Sequence, residues 1–113
     1  MYTMNNHNLN SSQRANQYLI NDIMSASPEE LIMKVFSFAI LQCQKKNMIK
    51  TNEAIQVLID ALNFDHPEAK EVSIGFFRIY RYLQEQMRQK NYDIVLKTLT
   101  ELKETWETAL KNR

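Results

Sequence analysis

Glycine occurs once in these 113 residues, proline twice and cysteine once. β-Sandwiches and barrels reverse direction at many tight turns, and those turns draw on glycine and proline. A chain this poor in both excludes such folds and predicts helices throughout. A single cysteine, Cys43, excludes a disulfide framework. Set in an apolar helical stretch, it reads as a small core residue in a reducing compartment, with a reactive thiol as the alternative. Neither sign of charge dominates: the net value is +1, so no overall field directs the chain to nucleic acid or to a membrane surface. Long apolar runs are missing too. The longest apolar-rich stretch, "VFSFAIL", is far too short to span a bilayer, and the Asn-rich first fourteen residues have no apolar core of a signal peptide. The expectation is a cytoplasmic protein without membrane insertion.

What is present is 44% apolar residues, enough for one domain with a modest core. Residues 1–14 lack periodicity and are read as a mobile arm; residues 15–113 form a single helical domain. "ANQYLINDIM" predicts a short helix with Tyr18, Ile23 and Met24 as its apolar contacts. Ser27 is placed to cap the next helix, Pro28 stands at its first position, and Glu30 closes a capping box beside the dipole-favoured Glu29. That helix runs to about Lys46 and buries Leu31, Val35, Phe38, Ala39 and Cys43. Asn47 caps a second, to about Asn63. "DHPE" at Asp65–Glu68 repeats the opening grammar for a third helix, Pro67 to about Gln89, with a seam of Ala69, Val72, Phe76, Ile79, Leu83 and Met87. Gly75 inside it costs about 1 kcal/mol relative to alanine, which predicts a close backbone approach there. Asp93 caps a fourth helix with the seam Val95, Leu99, Leu102, Trp106 and Leu110. Short connections then give an antiparallel, up-and-down four-helix bundle, all-α, with the short N-terminal helix laid across it.

Chemistry-bearing constellations are scarce. His7 sits in the arm and His66 beside a proline. No Glu-x-x-His pair exists for a di-iron bundle and no Cys/His cluster for zinc. Glu29 and Glu30 are explained by capping. The expectation is a non-enzyme without cofactor or metal. "RIYRYLQEQMRQK" interleaves Arg78, Arg81, Arg88 and Lys90 with Tyr80 and Tyr82, as single-strand binders do. Glu85 interrupts it and the domain is nearly neutral, so a solvated face is expected instead and no nucleic-acid partner.

The second helix carries two apolar stripes where a bundle needs one. Ile55, Leu58, Ile59 and Leu62 form the first; Ala54, Val57, Ala61 and Phe64 lie beside them. Ile74 and Phe77 fall outside the third helix's seam. A surplus apolar face calls for a partner segment, while a wide core stripe is the plainer alternative.

Several stretches resemble the flagellar secretion chaperone (FliS) family. Tyr18, Asn21, Ile23 and "SASPEEL" match Y..N.[VI].TASPEEL. "FAI" at 38–40 stands where the family has GAI, "NEAIQVLIDAL" is similar to its second helix, "EVSIGFFRIYRYL" to EIA.NL..LYDYM, and "ELKETW" to ELRDTW. The resemblance covers about Tyr18 to Leu110. It implies a four-helix-bundle chaperone that binds the C-terminal segment of flagellin, prevents premature polymerisation and delivers it to the flagellar export apparatus. It favours docking at Ala54, Val57, Ala61, Phe64, Ile74 and Phe77, with Tyr18 and Ile23 covering the apolar surface in the free protein. The chain departs from the family in three places: Phe38 replaces a glycine, Arg81 an aspartate, and Ala15 an upstream tyrosine. Both hairpin tips are also shorter, by roughly two turns or about 10 Å, which leaves the seams in phase. A helical adaptor that kept the fold and changed partner is the alternative.

Overall fold

The computed structural model describes residues 28–65 and 67–112. Among these it holds four helices and no strand: α1 Pro28–Gln44, α2 Met48–Asp60, α3 Pro67–Arg88 and α4 Tyr92–Lys111. The arm, the short helix carrying Tyr18 and Ile23, and the Ser27 cap lie outside the described residues. Residues 32–113 belong to one compact unit, and the packing below is that of its described residues.

Local chemistry sets the helix starts. Pro28 and Pro67 open α1 and α3, with Glu29, Glu30 and Glu68 in the first turns, where they favour the positive end of the dipole. Asn47 caps α2, its side-chain oxygen accepting from the Lys50 N–H at 3.0 Å. α4 begins earlier than Asp93 predicts: Asn91 holds the cap position without a side-chain cap bond. Its amide instead donates to Gln86 Oε1 at 2.7 Å.

That difference belongs to a larger pattern. The turns after α1 and after α3 are the same structure. Lys46 N–H donates to the Cys43 carbonyl and Asn47 N–H to that of Gln42, both at 2.9 Å; Lys90 donates to Met87 at 3.0 Å and Asn91 to Gln86 at 2.9 Å. Lys46 and Lys90 both have positive φ, 58° and 63°. This is the Schellman closure, with lysine where glycine is usual. Q-x-x-x-K-N at 42–47 and 86–91 carries it in the sequence. Buried residues repeat with the same 44-residue offset: Phe36 with Tyr80, Ala39 with Leu83, Cys43 with Met87, Thr51 with Val95, Ile55 with Leu99. The bundle is two helical hairpins of one design.

Antiparallel pairing is read from cross-helix contacts. Asn52 and Gln56 of α2 bond Gln84 of α3, Ser73 bonds the carbonyl of Asn63, and Phe76 lies against Trp106 of α4 at 6.1 Å between ring centroids. The core is Val35, Phe36, Ala39 and Cys43 of α1, Ala54, Ile55, Leu58 and Ile59 of α2, Tyr80, Leu83 and Met87 of α3, and Val95 and Leu99 of α4. Thr51 is buried without an orphaned hydroxyl, which donates to the Asn47 carbonyl at 2.7 Å.

Three expectations are corrected. α1 turns Phe36 into the core and leaves Phe38 half-buried. α3 is rotated from the expected seam: Leu83 and Met87 are buried, but Val72 is 60% and Ile79 38% exposed. Ser73 and Gln84 occupy the interior instead, admitted because each finds hydrogen bonds across to the chain of α2 or its connection. Gly75 is exposed, and a Cβ built there meets nothing within 4 Å; no close approach explains it.

Candidate functional site

The α2–α3 seam is polar. Gln84, 4% exposed, commits its side-chain nitrogen to it. Nε2 donates to the Asn52 carbonyl at 3.1 Å and to Gln56 Oε1 at 3.3 Å. Oε1 accepts from Arg81 Nη1 at 3.0 Å. Asn52 Nδ2 returns a bond to the Gln84 carbonyl at 3.0 Å, leaving Asn52 Oδ1 buried and unpartnered. A sliding of one helix along the other would break the three cross-helix bonds at once, and unsatisfied buried amides are costly. The seam therefore fixes the register of α2 on α3.

Above it lies an apolar face. Arg81 holds its guanidinium over the Phe77 ring, 5.3 Å from the centroid. The Phe77 ring meets Phe64 edge to face at 6.2 Å and 79°. Phe64 belongs to the α2–α3 connection, which is anchored where Ser73 Oγ donates to the Asn63 carbonyl at 2.9 Å and Asp65 N–H to Asn63 Oδ1 at 3.0 Å. Phe64 is exposed, Ile74 and Phe77 half-buried, and Ile74 lies one turn before Phe77 on the same side of α3.

The six residues singled out from the sequence do not form one surface. Phe64 and Phe77 touch, and Ile74 adjoins them. Ala54 is 4% exposed and part of the core. Val57 is 47% exposed, but it follows Gln56, which faces α3, and so lies about 100° further round α2. Ala61 is exposed at the α2 C-terminus and borders a cavity of about 270 Å³ between the helix ends, walled by Leu58, Ala69, Phe76, Tyr80 and Trp106. Arg81 was not among the six. The sequence marked it only as part of a basic stretch and as a replacement of the family's aspartate; its place four positions after Phe77 on one helix was the signal for this contact.

Burial pushes the Tyr80 hydroxyl up to about 12, with the neighbouring Trp106 indole acting in the opposite direction. The Trp106 N–H closes no hydrogen bond of good geometry and is buried without a partner. Burial, then the charge of Asp93, raises the Cys43 thiol. Hydrogen bonds from Gln89 and Arg88 hold the exposed Glu85 carboxylate below its usual range. Among the described residues no three His, Cys, Asp or Glu side chains come together as metal ligands, and no helix is long and apolar enough to cross a membrane. The chain matches no family model, no curated protein and no solved structure.

Proposed function

We propose that the chain is a flagellar export chaperone that binds the C-terminal helical segment of a flagellin in the cytoplasm and keeps it from polymerising before secretion. The observation that carries this is the apolar face of Phe64, Ile74 and Phe77 beside the α2–α3 seam. An amphipathic helix docks on such a face through i, i+3 and i+4 anchors, with affinity from apolar burial rather than chemistry. The motif resemblance around "SASPEEL", "EVSIGFFRIYRYL" and "ELKETW" supports the choice of partner. Val57, Val72 and Ile79 add exposed apolar area that a folded bundle leaves for other molecules.

Titration calorimetry with flagellin C-terminal peptides tests the proposal. Binding with a negative heat-capacity change is expected, the mark of apolar burial. Phe77→Asp is expected to remove it while the circular-dichroism spectrum stays helical. A wild-type protein that ignores every flagellin of its own cell would transfer the role to the adaptor reading.

A further inference from the structure

The Asp60 and Glu85 carboxylates are engaged by their own neighbours. Asp60 Oδ1 accepts from Gln56 Nε2 at 3.0 Å; Glu85 accepts from Arg88 and Gln89, both at 3.1 Å. Arg81 differs. Its guanidinium has five N–H donors and gives one to Gln84, and no carboxylate among the described residues pairs with it. It is exposed, yet it is not loose: Gln84 holds one edge, and the Phe77 ring lies beneath. A planar cation fixed over an aromatic anchor, with its other edge towards solvent, is prepared for a bidentate carboxylate.

Resting on the docking reading above, we propose that Arg81 is the specificity-determining residue of this face. Among apolar helical segments it selects those with a glutamate or aspartate beside the side chain that packs on Phe64 and Phe77. Charge complementarity names the occupant, an acidic-flanked amphipathic helix. Gln84 is the positioning residue, because it is the buried group that holds Arg81 in place.

Three synthetic 18-residue helical peptides test this by fluorescence anisotropy against the full chain. They share one leucine–alanine stripe and carry Glu, Gln or Lys beside it. The Glu peptide is expected to bind about fivefold tighter than the Gln peptide, the scale of one partly exposed ion pair, and the Lys peptide weaker than both. The preference shrinks at high salt. Arg81→Gln is expected to bring Glu and Gln peptides within twofold of each other, and Arg81→Lys to keep part of the preference. Equal binding of all three peptides to wild type, or an unchanged Glu preference in Arg81→Gln, overturns the role of Arg81 and leaves the docking reading standing. Binding of none overturns the docking reading and the selection together. A concentration-dependent dimer that no peptide dissociates would place a second copy on the face and overturn both.

Discussion

Cys43 Sγ and Met87 Sδ meet at 3.8 Å, and they hold equivalent places in the two hairpins. Each is the residue whose carbonyl closes its own turn, onto Lys46 and Lys90 respectively. The contact therefore joins the hairpins at their repeated feature, in a spot where both side chains are fully buried. Truncating Met87 to alanine removes a fully buried side chain and is expected to cost about 2–5 kcal/mol, measured by urea denaturation. A loss under 1 kcal/mol would mean that this end of the bundle is loosely packed.

The Cys43 thiol also donates towards the Tyr92 carbonyl at 3.5 Å, and burial raises its pKa. Thiolate is the reactive form, so a thiol reagent at pH 7.5 is expected to label the native protein far more slowly than the urea-unfolded chain. Equal rates would identify an accessible, reactive cysteine.

Gly75 supplies neither a positive φ nor room for a neighbour. Gly75→Ala is therefore expected to stabilise the protein by about 1 kcal/mol, read as a rise in melting temperature of about 4–8 °C. At Lys90, in the left-handed region, the reverse exchange is expected to help: Lys90→Gly relieves strain of about 1 kcal/mol, less the entropic penalty of glycine. If both variants lose stability, the backbone account of these positions is wrong.

The rotation of α3 separates two apolar pairs that look alike in the sequence. Val72→Ser and Ile79→Ser are each expected to change stability by less than about 0.5 kcal/mol, as exposed substitutions do. Leu83→Ala, at a fully buried site, is expected to cost about 2–5 kcal/mol. Gln84→Ala removes the bonds to the Asn52 carbonyl, Gln56 Oε1 and Arg81 and is expected to cost about 1–3 kcal/mol.

Tyr80 predicts a loss of stability in alkali. Its hydroxyl ionises at about 12 in the folded protein, against an ordinary 10.0. The fold favours the neutral phenol, so this contribution is fully present below pH 10 and is lost as pH rises through 12. The loss is on the order of 2 kcal/mol, and Tyr80→Phe is expected to flatten that part of the stability curve. A wild-type curve already flat between pH 10 and 12 would contradict the burial argument.

The sequence by itself determined the class and the starts of α1, α2 and α3. Scarce glycine and proline, the prolines at 28 and 67, the Asn47 cap and the 3.6-residue periodicities act through neighbours a few positions away, so they are readable without a fold. It also carried the repeated turn, as Q-x-x-x-K-N twice, though that signal is plain only once both turns are seen to close alike. Tertiary structure decided which way α3 faces. Its apolar residues, from Ile79 round to Ile74, span roughly 220° at 100° per residue, wider than any one interface can cover. Periodicity alone cannot choose within such an arc. The choice fell to groups distant in sequence: Asn63 receiving Ser73, and Asn52 and Gln56 receiving Gln84. Those bonds draw two polar side chains inward and turn Val72 and Ile79 out. A hydrogen bond across 32 residues has no local signature, and such bonds set the α2–α3 seam beside the candidate site.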